Sequence, residues 1–142
     1  MTERLARDVA LEFIELYNDG TPELFGSERV WGLYHEDVDW HEMPTRAFPA
    51  GRTGNRDAVL VATRGAAVAL RNRHVTLREL VADGNRAAIM YTWEATIATG
   101  DFAFLGLGPG DIMQMEIAQF IEVSGGKIIR STEHLCLGRL SP

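Results

Sequence analysis

Two glutamates in this chain occupy stretches that otherwise read as apolar strand faces, and a carboxylate so placed is suited to moving protons. The first is Glu42, in the run from Tyr34 to Pro44. Side chains alternate across a strand, so Val38, Trp40 and Glu42 share one face while Asp39, His41 and Met43 share the other. The second is Glu133, whose same-side neighbours are Ile129, Ser131, Leu135 and Leu137. Loss of water disfavours the charged form of a carboxyl and raises its pKa toward the range useful at neutral pH. If both acids enter one cavity, mutual repulsion keeps one of them protonated, so a single residue type supplies both acid and base. Each acid also has a plainer reading: Glu42 as a strand-end carboxylate in solvent or beside an arginine, and Glu133 as half of a buried ion pair.

Other reactive side chains carry less. His41 and His134 fall opposite the two glutamates in strand parity, toward an outer face, and would replace them as acid and base only if the register were reversed. A metal site from His35, His41 and His134 has no recognisable ligand spacing, so no metal is expected. Ser27, Ser124, Ser131 and Ser141 lack a nucleophile elbow, and Cys136 on an apolar strand reads as a packing residue. The glycines Gly106, Gly108 and Gly110 precede no strand-to-helix transition and so make a weak phosphate signal. What remains is proton transfer without a cofactor: aldol closure, double-bond migration or dehydration next to a carbonyl.

The elements that must position these residues follow from periodicity. Thr2 can cap a first helix in which Leu5, Val9, Phe13, Leu16 and Tyr17 recur at spacings of three and four, ending at Asn18-Asp19-Gly20. Thr21-Pro22-Glu23 can start a second helix, interrupted near Gly26-Ser27, that reaches about Tyr34. After the strand holding Glu42, Pro44 to Gly54 reads as a loop, and Asn55 caps a third helix carrying Val59, Ala62, Ala66, Ala69 and Leu70. Extended patterns follow at His74 to Val81, Arg86 to Ala98, Ile112 to Val123 and Lys127 to Leu137. Asp83-Gly84-Asn85 and Ser124-Gly125-Gly126 are hairpin signals, whereas Thr99 to Asp111 is a longer connection. Within it, Phe102, Phe104, Leu105 and Leu107 are too apolar for an ordinary solvent loop and suit a pocket mouth or a partner surface. Three helices segregated against one long antiparallel sheet define an α+β fold.

Composition narrows the partners. A chain of 142 residues fits a single domain, residues 1–142, and its formal charge of −6 with scattered arginines argues against nucleic acid or an anionic membrane surface. One cysteine, no apolar run of spanning length and no apolar stretch near Met1 make the cytoplasm the expected location.

The order of these segments resembles the nuclear transport factor 2-like superfamily, and within it the SnoaL-like branch that includes polyketide cyclases. The resemblance rests on Tyr17-Asn18-Asp19-Gly20, Leu33-Tyr34-His35-Glu36-Asp37-Val38 leading to Trp40-His41-Glu42, and Gly54-Asn55-Arg56-Asp57-Ala58-Val59. Leu80 through Arg86 and Phe120 through Ile128 add the two hairpins. It implies a cystatin-like cone, with three N-terminal helices packed on a strongly curved, mainly antiparallel sheet. In the ketosteroid isomerase branch the general-base aspartate falls on Glu42, whereas the two oxyanion-hole positions fall on Phe13 and Ala118, which cannot donate. Steroid isomerisation is therefore not expected, and Tyr17, one turn after Phe13, is a substitute hydroxyl. The acid/base aspartate of the SnoaL-like cyclases falls on Glu133, preceded here by Thr132 instead of an aromatic residue. No match appears to the Asp-Arg-Asp arrangement of limonene epoxide hydrolase.

The expected protein is a homodimer joined through its outer sheet face, holding a small apolar or aromatic carbonyl compound. Glu42, Glu133 and Tyr17 are the candidate catalytic residues, and Phe13, Val38, Trp40, Tyr91, Trp93 and Gln119 the candidate ligand wall. Because this fold also hosts non-catalytic members, binding without turnover and a protein-interaction role stand as alternatives.

Overall fold

The computed structural model describes residues 4–18 and 28–138. Helix α1 (Ala6–Tyr17) buries Val9, Phe13 and Leu16 along one face. Its N-cap is Leu5, which makes no side-chain cap and is half exposed, so Leu5 does not belong to the core stripe. Thr2 and the Thr21-Pro22-Glu23 start lie outside the described residues. Helix α2 is the single turn Glu28–Trp31, and the chain turns into β1 (Tyr34–Glu42) straight after it. The expected loop contains a short strand, β2 (Arg52–Gly54), which folds back on the end of β1 with Glu42 opposite Arg52. Three residues are too few to show a period, which is why only the pairing reveals this strand.

Asn55 caps α3 (Arg56–Ala69) as its residue type predicts, accepting from the backbone N–H groups of Asp57 and Ala58. No loop follows α3. Leu70 ends the helix and opens β3 (Leu70–Asp83), four residues earlier than the pattern of extended residues, because Arg71, Asn72 and Arg73 conceal a kink at Asn72 (φ 52°). Strands β4 (Arg86–Ile97), β5 (Ile112–Ser124) and β6 (Lys127–Leu137) follow, with a 3₁₀ helix at Gly100–Leu105 between β4 and β5.

The six strands form one sheet in the order β2-β1-β6-β5-β4-β3, antiparallel throughout except for β1 beside β6. That parallel contact joins the first long strand to the last and so brings Glu42 level with Glu133. A bulge in the β5–β6 ladder shifts the phase of β6: Ile128 is fully buried and Ile129 is not, so Ile128, not Ile129, shares the inner face with Ser131 and Glu133. Helix α1 lies over β3 to β6, and α3 lies over β1 and β2. One pocket draws wall residues from all six strands and from α3, which requires the sheet to curl around it. Asn18 ties α1 to the sheet by using its amide as a strand would, donating to the Val75 carbonyl and accepting from the Val75 N–H, both at 2.7 Å.

Candidate functional site

The pocket has a volume of about 460 Å³. Its body is apolar: Val59, Ala62 and Ala66 of α3 face Trp93, Met113, Met115, Ile117 and Leu135 of the sheet. Phe48, Val61 and Phe104, each substantially exposed, stand at its border, so the 3₁₀ segment does contribute to the pocket. Polar groups gather at the other end. Glu42, Arg52 and Glu133 line it together with Tyr17, Tyr34 and Tyr91, which are all the tyrosines of the chain.

Glu42 and Glu133 are direct partners on adjacent parallel strands, and residues so paired project to the same face. Arg52 holds Glu42 with two hydrogen bonds, Nε to Oε1 at 3.1 Å and Nη2 to Oε2 at 2.8 Å. The guanidinium also lies 3.9 Å from the Phe48 ring and 5.5 Å from that of Trp40. The plainer reading of Glu42 as an arginine-paired carboxylate therefore describes its contacts, although the pair opens on the pocket and not on bulk solvent alone. Glu133 has no such partner among the described residues. Burial first, and the charge of Glu42 second, push its carboxyl up to about 8, against the opposing effects of a hydrogen bond with Trp40 and the charge of Arg52. Glu133 thus stays protonated at neutral pH while part of its surface faces the pocket.

Around Glu133 the three phenols are held as neutral donors. Burial, followed by the Glu133 charge, raises Tyr17, Tyr34 and Tyr91 well above the ordinary phenol range. Behind them Gln119 is almost fully buried, accepting from Tyr91 Oη at 2.9 Å and donating to Ser131 Oγ at 3.0 Å. Its hydrogen bond holds the Tyr91 hydroxyl in place, since a buried amide must use its polar atoms.

Of the residues expected to meet a ligand, Trp40, Tyr91 and Trp93 line the pocket with Tyr17, Glu42 and Glu133. Phe13, Val38 and Gln119 do not line it. Phe13 lies beneath Tyr17 and Tyr91, with ring centroids 4.7 and 6.4 Å away, Val38 is packed in the core, and Gln119 is spent on internal hydrogen bonds. Ala118 is paired with His134, out of phase with inward-facing Gln119, so it lies on the other side of the sheet from the pocket. His41 hydrogen-bonds Asp39 at 2.7 Å, His35 accepts from the Asp37 N–H, and His134 is exposed, which leaves the three histidines apart from the two glutamates. Cys136 is exposed and not a packing residue, because it falls on the outer face opposite Glu116. Among the described residues no cluster of His, Cys, Asp or Glu suited to a metal ion occurs.

Two site residues escape a reading by motif. Tyr34 has the parity of Val38, Trp40 and Glu42, a signal that was present but obscured by the expectation that it ended a helix. Arg52 carries no such signal, since its position depends on the β1–β2 turn.

Residues 10–131 match the model of the SnoaL-like domain. No curated protein matches the chain in sequence. Among solved structures, IdmH, a proposed polyketide cyclase from Streptomyces antibioticus, superimposes with a TM-score of 0.68 at 20% identity, over 91% of this chain and 90% of that one. An NTF2-like protein from Burkholderia thailandensis gives 0.69 at 15% identity, over 94% and 92%. A protein of ketosteroid isomerase-like fold from Catenulispora acidiphila, solved with trimethylamine, gives 0.65 at 13% identity, over 92% and 86%. At these identities the structures speak for the fold alone. Sequence match and architecture agree that this chain belongs to the SnoaL-like domain family and has the curved α+β fold of the nuclear transport factor 2 and ketosteroid isomerase-like proteins.

Proposed function

We propose that the pocket binds a small apolar or aromatic carbonyl compound and moves a proton on it without a cofactor. The observation that carries this reading is the pairing of Glu42 with a Glu133 that burial keeps protonated. In the proposed step the Glu42 carboxylate accepts a proton from the carbon next to the carbonyl, and Glu133 delivers its own proton to the carbonyl oxygen. The product is the enol, and return of a proton to a different carbon, closure onto a second carbonyl or loss of a β-hydroxyl completes an isomerisation, cyclisation or dehydration. Tyr17, which lines the same end of the pocket together with Tyr34 and Tyr91, assists at the oxygen as a neutral donor. The family's polyketide cyclase-like neighbour is in keeping with such a substrate.

The bidentate hold of Arg52 on Glu42 favours a second reading, binding without turnover, because both carboxylate oxygens are already engaged by the guanidinium. A thermal-shift screen with aromatic and polyketide-like carbonyl compounds separates the two. A ligand at ~100 times its dissociation constant stabilises by roughly 2.7 kcal/mol. For the catalytic reading, wild type converts a stabilising compound and Glu133→Gln loses about 10²- to 10⁴-fold in rate while still binding it. Stabilisation with no conversion by wild type leaves the binding reading, and no stabilising compound at all would count against both.

We also propose that two copies associate through the outer sheet face, where Met90 and Phe120 stand exposed near Ala88, Ala118 and Thr132.

A further inference from the structure

Among the described residues lining the pocket, Arg52 is the only cation, and its guanidinium is only partly used. Glu42 takes the Nε and Nη2 side of the fork. Nη1 has no hydrogen-bond partner among the described residues, and Glu133, whose carboxyl feels the Arg52 charge, makes no ion pair with it. A guanidinium presents N–H donors on more than one edge, so one carboxylate does not exhaust it. Its orientation is set in advance by the Glu42 bonds and by stacking on Phe48 at 3.9 Å, so little side-chain freedom remains to be lost on binding.

We propose that the unoccupied edge of Arg52 is a subsite for an ionised oxygen of the ligand, such as a carboxylate on an aromatic body that fills the apolar half of the pocket. This deepens the pocket reading by naming a substrate class, and it rests on that reading for the ligand's apolar part. A protonated Glu133 removes the charge that would otherwise repel such an anion. The acidic net charge of the chain makes this inward-looking cation a local exception to the overall repulsion of anions.

The probes are 2-naphthoate and its neutral counterpart 2-naphthamide, titrated at pH 6 with tryptophan fluorescence, since Trp40 and Trp93 border the pocket. Wild type is expected to prefer naphthoate by about 10-fold, the lower end for a charged hydrogen bond because Arg52 is 32% exposed. Arg52→Met abolishes the preference. Because that variant strands a buried Glu42, the neutral pair Arg52→Met with Glu42→Gln serves as the folded control and is expected to lose the preference equally. Glu42→Gln alone has the opposite sign, raising naphthoate affinity by freeing the cation from its partner, which a merely structural role for the pair would not produce. Equal binding of both probes by wild type, or a preference that survives in the double variant, would overturn the Arg52 subsite and leave the pocket reading intact. Binding of neither probe would likewise overturn the Arg52 subsite, the pocket reading being decided by the wider carbonyl screen.

Discussion

At the level of single residues, the central feature is one acid that burial has changed. Glu133 moves from an ordinary 4.5 up to about 8 on folding, so between those values the folded chain binds the proton that the unfolded chain releases. Its contribution to stability is therefore full below about pH 4.5, declines as pH rises and is gone above about pH 8. Glu133→Gln, which cannot titrate, is expected to remove this part of the decline and to be more stable relative to wild type at pH 8 than at pH 5. Melting temperatures of the two proteins across that window check the sign, and parallel curves would show that Glu133 does not change its protonation on folding. In the proposed reaction, proton donation by Glu133 follows the same titration, so turnover is expected to fade as pH passes about 8.

Among the elements, β2 matters out of proportion to its length. Gly51 immediately precedes it at φ +73°, and a Cβ there would lie 2.6 Å from the Glu42 carbonyl oxygen. Gly51→Ala is thus expected to cost more than about 1 kcal/mol, since both the left-handed backbone and the space are unsuited to alanine. Urea midpoints measure the loss, and displacement of Arg52 from Glu42 should accompany it. Removing the α3 cap by Asn55→Ala is expected to cost about 1 kcal/mol with the pocket chemistry unchanged, because the Asn55 side chain hydrogen-bonds the N–H groups of Asp57 and Ala58 and does not line the pocket. These two elements also differ in how legible they were. The α3 start was readable because a cap acts over three residues of sequence, whereas β2 exists only by virtue of the strand beside it.

For the whole molecule, the proposed outer-face association predicts a mass of two copies by light scattering for wild type. A charge in the exposed apolar part of that face, Phe120→Lys, should give a single copy with an unchanged melting curve at high dilution. A wild-type chain that is single at every concentration would end this proposal.

Alternation along β1 and β6 was enough to set Glu42 and Glu133 on the faces opposite His41 and His134, because strand parity is a local property of the backbone, whereas which face looks into the pocket was decided by the fold. The third helix, the four late strands and their hairpins were likewise readable from periodicity and turn residues, and segment order carried the family. Phase errors entered where the backbone departs from regularity: the bulge exchanged Ile129 for Ile128, and the kink at Asn72 hid the first turn of β3. Tertiary structure alone decided that the first and last long strands lie side by side, and hence that acids 91 positions apart are register partners. It also decided that Phe13, Val38 and Gln119 support the pocket from behind, and that Arg52 stands against Glu42. Those outcomes depend on how the sheet closes around α3, a summed effect of many contacts that no short window of sequence contains.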